Sequence, residues 1–315
     1  MSTRELVVLG TASQVPTRRR NHHGALLRWD GEGILLDPGE GTQRQMAVAG
    51  VPVGRVTRIC ITHFHGDHCL GLPGIVQRLS LDGITRPVPI HHPASGREHL
   101  DRLRHASVFD DRADTPYRPV TRSGAIDESG PLVVSARLLD HPVEAWGYRF
   151  EERPGRTLLP DRLAAAGIEG PAVGELLREG RLRDSGGRTV SVEDVSVERP
   201  GQAAAFVMDT RRCEGALELA AGVDLLVCES TFLEAEADRA EETGHLTARQ
   251  AAEIAREAGA RRLVLTHFSS RYPDEQAFLA EARPVHPDVV AAREALRVPV
   301  PRRVRGRTTG AVGRG

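Results

Sequence analysis

Lysine is absent: all 42 basic side chains of this 315-residue chain are arginine. A P-loop lysine, a Schiff-base or pyridoxal lysine and a kinase lysine are therefore excluded, and with them much nucleotide and carbonyl chemistry. Cysteine is scarce. Cys60 and Cys69 are separated by eight residues and Cys213 and Cys228 by fourteen, which fits neither a CxxC zinc ribbon nor a dense disulfide framework. Free buried thiols in a reducing cytoplasm are expected. Charge of one sign is missing too, since 42 basic and 43 acidic residues leave a formal −1. Bulk charge thus provides no pull toward membranes or nucleic acid, and neither a membrane nor DNA is an expected partner. No uncharged apolar run approaches the roughly 20 residues of a membrane span. The opening segment carries Glu5 and only the short run Leu6 to Leu9 before Gly10, not the apolar stretch of a signal peptide.

At 40% hydrophobic, the chain can bury one large core or two modest ones without cross-links. Short β-branched runs (6–9, 25–29, 34–36, 56–62, 88–91, 132–139, 147–150, 203–208, 224–228 and 263–266) alternate with helical segments at 41–49, 70–81, 96–106, 214–221 and 246–258. This alternation predicts an α/β fold. Between Arg153 and Gly201 the composition shifts to glycine, proline and charge, with one weak helix, one short strand pair and few large apolar groups. Residues 153–201 are expected to form a flexible inserted arm on a 1–290 domain. After Glu294 come six arginines and no acid, and residues 291–315 are expected to be a disordered basic tail.

The chemistry concentrates in His63-Phe64-His65-Gly66-Asp67-His68, directly after a buried-type strand. Neutral imidazoles and carboxylate oxygens suit Zn²⁺. Four ligands from one tight loop cannot easily crowd a single ion, so a second ion with further donors is expected. His141, Asp209 and His267 stand at or just after predicted strand ends, where α/β folds place sites. The histidines at 22, 23, 91, 92, 99, 105 and 286 follow no such pattern and are assigned to surface or core.

The segment His63 to His68 resembles the H-x-H-x-D-H signature of the metallo-β-lactamase fold, a four-layer αββα sandwich. Leu9-Gly-Thr-Ala-Ser, Pro16 to Asn21, Asp37-Pro-Gly-Glu-Gly-Thr-Gln, Asp209-Thr-Arg, Cys228-Glu-Ser-Thr-Phe, Gly244-His-Leu-Thr-Ala and Thr266-His-Phe-Ser-Ser-Arg-Tyr follow in the order found in ribonuclease Z, the tRNA 3′-processing endonuclease. The likeness runs from residue 4 to about 290. It departs from the family at Arg18, where lysine is usual, and at Met208, where glycine is usual.

The resemblance implies two Zn²⁺ per subunit, with Mn²⁺ as a possible substitute. His63, His65 and His141 would hold one, Asp67, His68 and His267 the other, and Asp209 would bridge them. It further implies that Asp67 orients or deprotonates the attacking water, that His245 is the general acid, and that Glu229 holds His245 protonated. The products would be a 3′-hydroxyl on the tRNA and a 5′-phosphate on the trailer. Precursor tRNA is the expected partner, gripped by Arg18, Arg19, Arg20 and Asn21 and, in the arm, by Gly170, Pro171, Arg178, Arg181 and Arg183. A homodimer is expected, with residues 70–81 as its apolar interface. The alternatives are a dizinc hydrolase of a small phosphodiester, ester or thioester, and a non-catalytic RNA-binding scaffold on the same fold.

Overall fold

Leu6-Val7-Val8-Leu9 has no polar residue to turn outward, so a strand built from it must be covered on both faces. The computed structural model, which describes residues 3–183 and 186–303, does this for the central strands of its two large sheets. The strands are, in order, β1 (Arg4–Gly10), β2 (Gly24–Trp29), β3 (Glu32–Leu36), β4 (Arg58–Cys60), β5 (Ile90–Pro93), β6 (Tyr117–Val120), β7 (Gly124–Asp127), β8 (Leu132–Leu138) and β9 (Trp146–Glu152). After these come β10 (Gly155–Leu158), β11 (Arg181–Arg183), β12 (Thr189–Ser191), β13 (Ser196–Arg199), β14 (Ala203–Val207), β15 (Leu225–Glu229), β16 (Arg262–Thr266), β17 (Val289–Ala291) and β18 (Arg297–Pro299). The first seven-stranded sheet has the order β18-β1-β2-β3-β4-β5-β6, antiparallel up to β3 and parallel beyond it. The second has the order β17-β16-β15-β14-β9-β8-β7, with β14 to β17 parallel.

Side-chain alternation sorts the residues into layers. Leu6, Val8, Leu27, Trp29 and Ile34 meet Tyr148, Phe150, Phe206 and Val227 between the sheets. Their neighbours Val7, Leu9, Leu26 and Leu35 face Met46, Ile75, Leu79 and Leu100 of the helices Thr42–Val48, Leu72–Leu81 and Arg97–Arg104. On the far side, Ala205, Val207, Leu226 and Leu265 face Leu219, Ala251, Ile254 and Phe278 of the helices Glu214–Ala220, Ala248–Glu257 and Gln276–Ala282. The result is the helix, sheet, sheet, helix sandwich.

Residues 151–202 form a separate compact unit. It holds more structure than the expected weak helix and single strand pair: β10 pairs with β13, β11 pairs with β12, and two helices, Pro160–Ala165 and Pro171–Glu179, are present. Its small core is Ala166, Ile168, Leu176, Val190 and Val195. These apolar residues are too dispersed along the chain to form a periodic run, which is why composition alone undervalued them. The disordered tail expected over 291–315 is corrected for residues 291–303, and residues 304–315 lie outside the described ones. β18 lies at 297–299 as an edge strand on β1, and the Arg303 guanidinium donates to Asp224 at 3.0 Å. Arg305 and Arg307 lie outside the described residues. Among the described residues no helix is long and apolar enough to cross a membrane.

Candidate metal centre

Five strands deliver the site from their C-terminal ends. β4 leads to His63, β8 to His141, β14 to Asp209, β15 ends on Glu229, and β16 leads to His267. The structure brings all seven sequence-derived donors together in two groups. His63 Nε2 is 2.9 Å from His65 Nδ1, and His141 Nε2 is 3.4 Å from that same atom. In the second group His68 Nε2 is 3.0 Å from His267 Nε2, and Asp67 Oδ2 is 3.4 Å and 3.3 Å from them. Asp209 faces both groups. Its Oδ2 lies 3.5 Å from His63 Nε2, while its Oδ1 lies 3.3 Å from both His68 Nε2 and His267 Nε2.

Three observations show that cations fit these donors. First, tautomers are fixed from behind: His141 Nδ1 donates to the Gly244 carbonyl at 2.9 Å and His68 Nδ1 to Asp37 Oδ2 at 2.8 Å. Each therefore presents a bare Nε2 lone pair inward, as a metal ligand must. Second, Asp209 Oδ1 is buried without a hydrogen-bond donor, a costly state for a carboxylate oxygen unless a cation meets it. Third, the pocket demands positive charge. Burial lowers the pKa of His68, yet Asp209, Asp67 and Asp37 together raise it well above its ordinary value. Divalent ions supply that charge while leaving the imidazoles neutral. His63, His65 and His141 are already held below their ordinary pKa, chiefly by burial.

His245 stands beside the donors but is otherwise engaged. Its Nδ1 is 2.9 Å from Glu229 Oε1 and 4.0 Å from Asp209 Oδ2. Burial lowers its pKa, but the carboxylates of Glu229 and Asp209 outweigh this and push it up to about 9. Glu229 is itself fixed, accepting from the backbone N–H of Thr210 at 2.9 Å and from the hydroxyl of Thr231 at 2.6 Å. A cleft of about 690 Å³ opens over the donors, lined among others by Gln14, His22, Phe232, Arg239, His245 and Arg271.

The other expected site residues separate. Arg18 and Arg19 are exposed. Arg20 is not: only 4% accessible, it pairs with Glu275 at 2.7 Å, donates to the Tyr272 carbonyl at 3.0 Å and covers the Phe268 ring. Its expected substrate contact is thus corrected to a structural clamp. The Asn21 side chain is likewise spent on the Glu40 carbonyl at 2.7 Å. Gly170, Pro171, Arg178, Arg181 and Arg183 are all exposed in the 151–202 unit.

Sequence reasoning missed Asp37, which sits fully buried at φ +45° and accepts from Thr62 N and Thr62 Oγ1, both at 2.7 Å, as well as from His68. A turn aspartate in Asp-Pro-Gly after a strand was the signal available. It also missed Arg211, whose guanidinium joins Asp140, beside His141, to the Glu241 carbonyl ahead of His245. Gly39 packs so close beneath the loop that a Cβ there would lie 2.1 Å from the Asp67 carbonyl oxygen.

Comparison with known proteins agrees with this geometry. Residues 18–147 match the metallo-β-lactamase superfamily model and residues 176–268 a β-lactamase superfamily domain. Ribonuclease Z of Nocardia farcinica is 59% identical over 96% of this chain and 100% of its own length. Ribonuclease Z of Streptomyces avermitilis is 56% identical over the same shares. The crystal structure of the short form of human tRNase Z superposes with a TM-score of 0.68 at 25% identity, covering 94% of this chain and 99% of that one. A Bacillus subtilis metallo-β-lactamase-fold protein, YhfI, reaches the same TM-score at 17% identity, so the backbone alone does not settle the family. The near-full-length identities do, and the chain belongs to the ribonuclease Z family of the metallo-β-lactamase superfamily.

Proposed function

We propose that this protein is a metal-dependent endoribonuclease that removes the 3′ trailer from precursor tRNA. The observation that carries the reading is the pairing of two donor groups shared by Asp209 with a carboxylate-held histidine lining the same cleft. His63, His65 and His141 with Asp209 would hold one cation, and Asp67, His68 and His267 with Asp209 the other; the nitrogen and oxygen donors suit Zn²⁺, with Mn²⁺ as a substitute. Bound there, divalent cations provide Lewis-acid polarisation of a phosphoryl oxygen and acidify water at neutral pH.

The chain's own residues do the rest. Asp67, with its carboxylate held well below the usual range because His68 and His267 outweigh the upward push of burial, accepts a hydrogen bond from the attacking water and aims it. His245 has Nδ1 committed to Glu229, so Nε2 delivers the proton to the leaving 3′-oxygen. The P–O3′ bond breaks as the water oxygen joins phosphorus. The tRNA leaves with a 3′-hydroxyl and the trailer with a 5′-phosphate. Arg18, Arg19 and the arginines Arg178, Arg181 and Arg183 would meet the RNA backbone, since arginine serves phosphates as a bidentate fork without any lysine. Two copies of the chain would form the active homodimer.

The deciding measurement is cleavage of a 3′-extended, CCA-less precursor tRNA beside bis(p-nitrophenyl) phosphate. Cleavage of both is expected. Hydrolysis of the ester with no tRNA cleavage would favour the small-molecule hydrolase, and neither activity with RNA binding retained would favour the scaffold.

A further inference from the structure

We propose that Arg239 grips the backbone phosphate on the retained side of the scissile bond, the one immediately 5′ of the last nucleotide that stays on the tRNA. This deepens the endonuclease reading and rests on it.

Arg239 lies on the helix Ala237–Thr243, which ends at Gly244 in the left-handed region (φ +78°) and turns straight into His245. The His245 backbone N–H donates to the Ala240 carbonyl at 2.8 Å, so the arginine sits about a turn and a half ahead of the proposed acid, and both line the cleft. It lines the cleft together with Phe232, His245 and His267. Three nearby carboxylates are engaged elsewhere. Glu236 takes the Tyr272 hydroxyl and lies 3.7 Å from Arg271, Glu241 lies 3.3 Å from Arg211, and Glu234 accepts from the Thr247 hydroxyl at 2.9 Å. Among the described residues, no carboxylate lies within ion-pair distance of the Arg239 guanidinium, whereas Arg211, Arg212 and Arg271 each have one.

An exposed arginine on a cleft wall, held by no partner of its own, is a free fork for a phosphate. Its place relative to His245 says which phosphate. A proton delivered from His245 goes to the leaving 3′-oxygen, so the retained nucleotide occupies the His245 wall and the trailer leaves on the opposite side. The phosphate that precedes the retained nucleotide therefore passes along the helix that carries Arg239.

The test pairs a substitution in the protein with one in the RNA. Precursor tRNA is made with a neutral methylphosphonate either at the phosphate 5′ of the last retained nucleotide or at the first trailer phosphate beyond the cut. Each is cleaved by wild type, Arg239→Ala and Arg239→Lys. For wild type, the upstream methylphosphonate should lower kcat/KM about tenfold, the loss of one charged hydrogen-bonded contact. Arg239→Ala should lose the same factor on the normal substrate, mainly in KM, and nothing further from the upstream methylphosphonate. Arg239→Lys should recover part of the loss. The salt slope of binding should fall by about one charge in Arg239→Ala. Wild-type behaviour of Arg239→Ala on RNA, or continued sensitivity of that variant to the upstream methylphosphonate, would overturn the assignment. Failure of wild type to cleave unmodified precursor at all would instead overturn the endonuclease reading beneath it.

Discussion

At the scale of the residue, the donors were the legible part, because a metal site must concentrate rare side chains. Three histidines and an aspartate within six positions have no cheaper explanation, and the structure gathers them with His141, Asp209 and His267. Arginines carry no such mark. Arg18, Arg19 and Arg20 read identically in the sequence, yet Arg20 alone turns inward to Glu275, since burial depends on a loop more than 200 residues away. Arg20→Ala should therefore cost about 2 kcal/mol of stability, by uncovering Phe268 and taking the donor from the Tyr272 carbonyl, visible in urea unfolding, with KM for RNA unchanged in the protein that remains folded. His245→Ala should retain its metal, counted by atomic emission, and lose 100-fold or more in RNA cleavage, on the order of one general acid.

His91 gives a pH prediction of definite sign. It is buried and bonded to the Arg58 guanidinium at 3.2 Å, and burial followed by that cation lowers its pKa to about 4 from 6.5. Below pH 6.5 the unfolded chain binds a proton that the folded chain refuses, so stability falls as pH drops from 6.5 toward 4, by about 1.4 kcal/mol per unit from this group. Urea titrations of wild type and His91→Gln at pH 7 and pH 5 should show a smaller loss in the variant. An equal loss would remove His91 from the account.

At the scale of the element, apolar strands and the helices packed on them were readable, while edge strands and the exposed helix Ala237–Thr243 were not. Helix Ala248–Glu257 declared itself through its apolar spacing, and it begins with a capping box in which the Thr247 hydroxyl accepts from Gln250 N at 3.2 Å and Gln250 Oε1 accepts from Thr247 N at 2.9 Å. Thr247→Ala should cost about 1 kcal/mol by thermal or urea unfolding. By contrast, β6 and β7 are short, hold few apolar residues and gain their pairing from neighbours rather than from their own pattern. The helix Ala237–Thr243 escaped notice for the same reason: among its seven residues only Ala240 is buried.

At the scale of the whole molecule, the α/β class and the inserted segment were legible, and the internal order of that segment was not. Replacing residues 155–198 with a short linker cuts the chain inside the 151–202 unit and leaves every metal donor in the other. Hydrolysis of bis(p-nitrophenyl) phosphate should survive, and precursor tRNA cleavage should fall by at least tenfold if that unit supplies the RNA grip. Equal losses on both substrates would make the segment structural.

The edge strand β18 has a consequence in time. The first strand of the chain, β1, pairs with residues 297–299, and Val8 exchanges backbone hydrogen bonds with Leu296 and Ala295. During synthesis, then, one side of β1 stays open until residues 295–299 have been added, a hydrophobic strand with its amides uncovered. The nascent chain must be shielded there, and a premature stop a few residues before 297 should yield a protein that precipitates rather than one that is merely short.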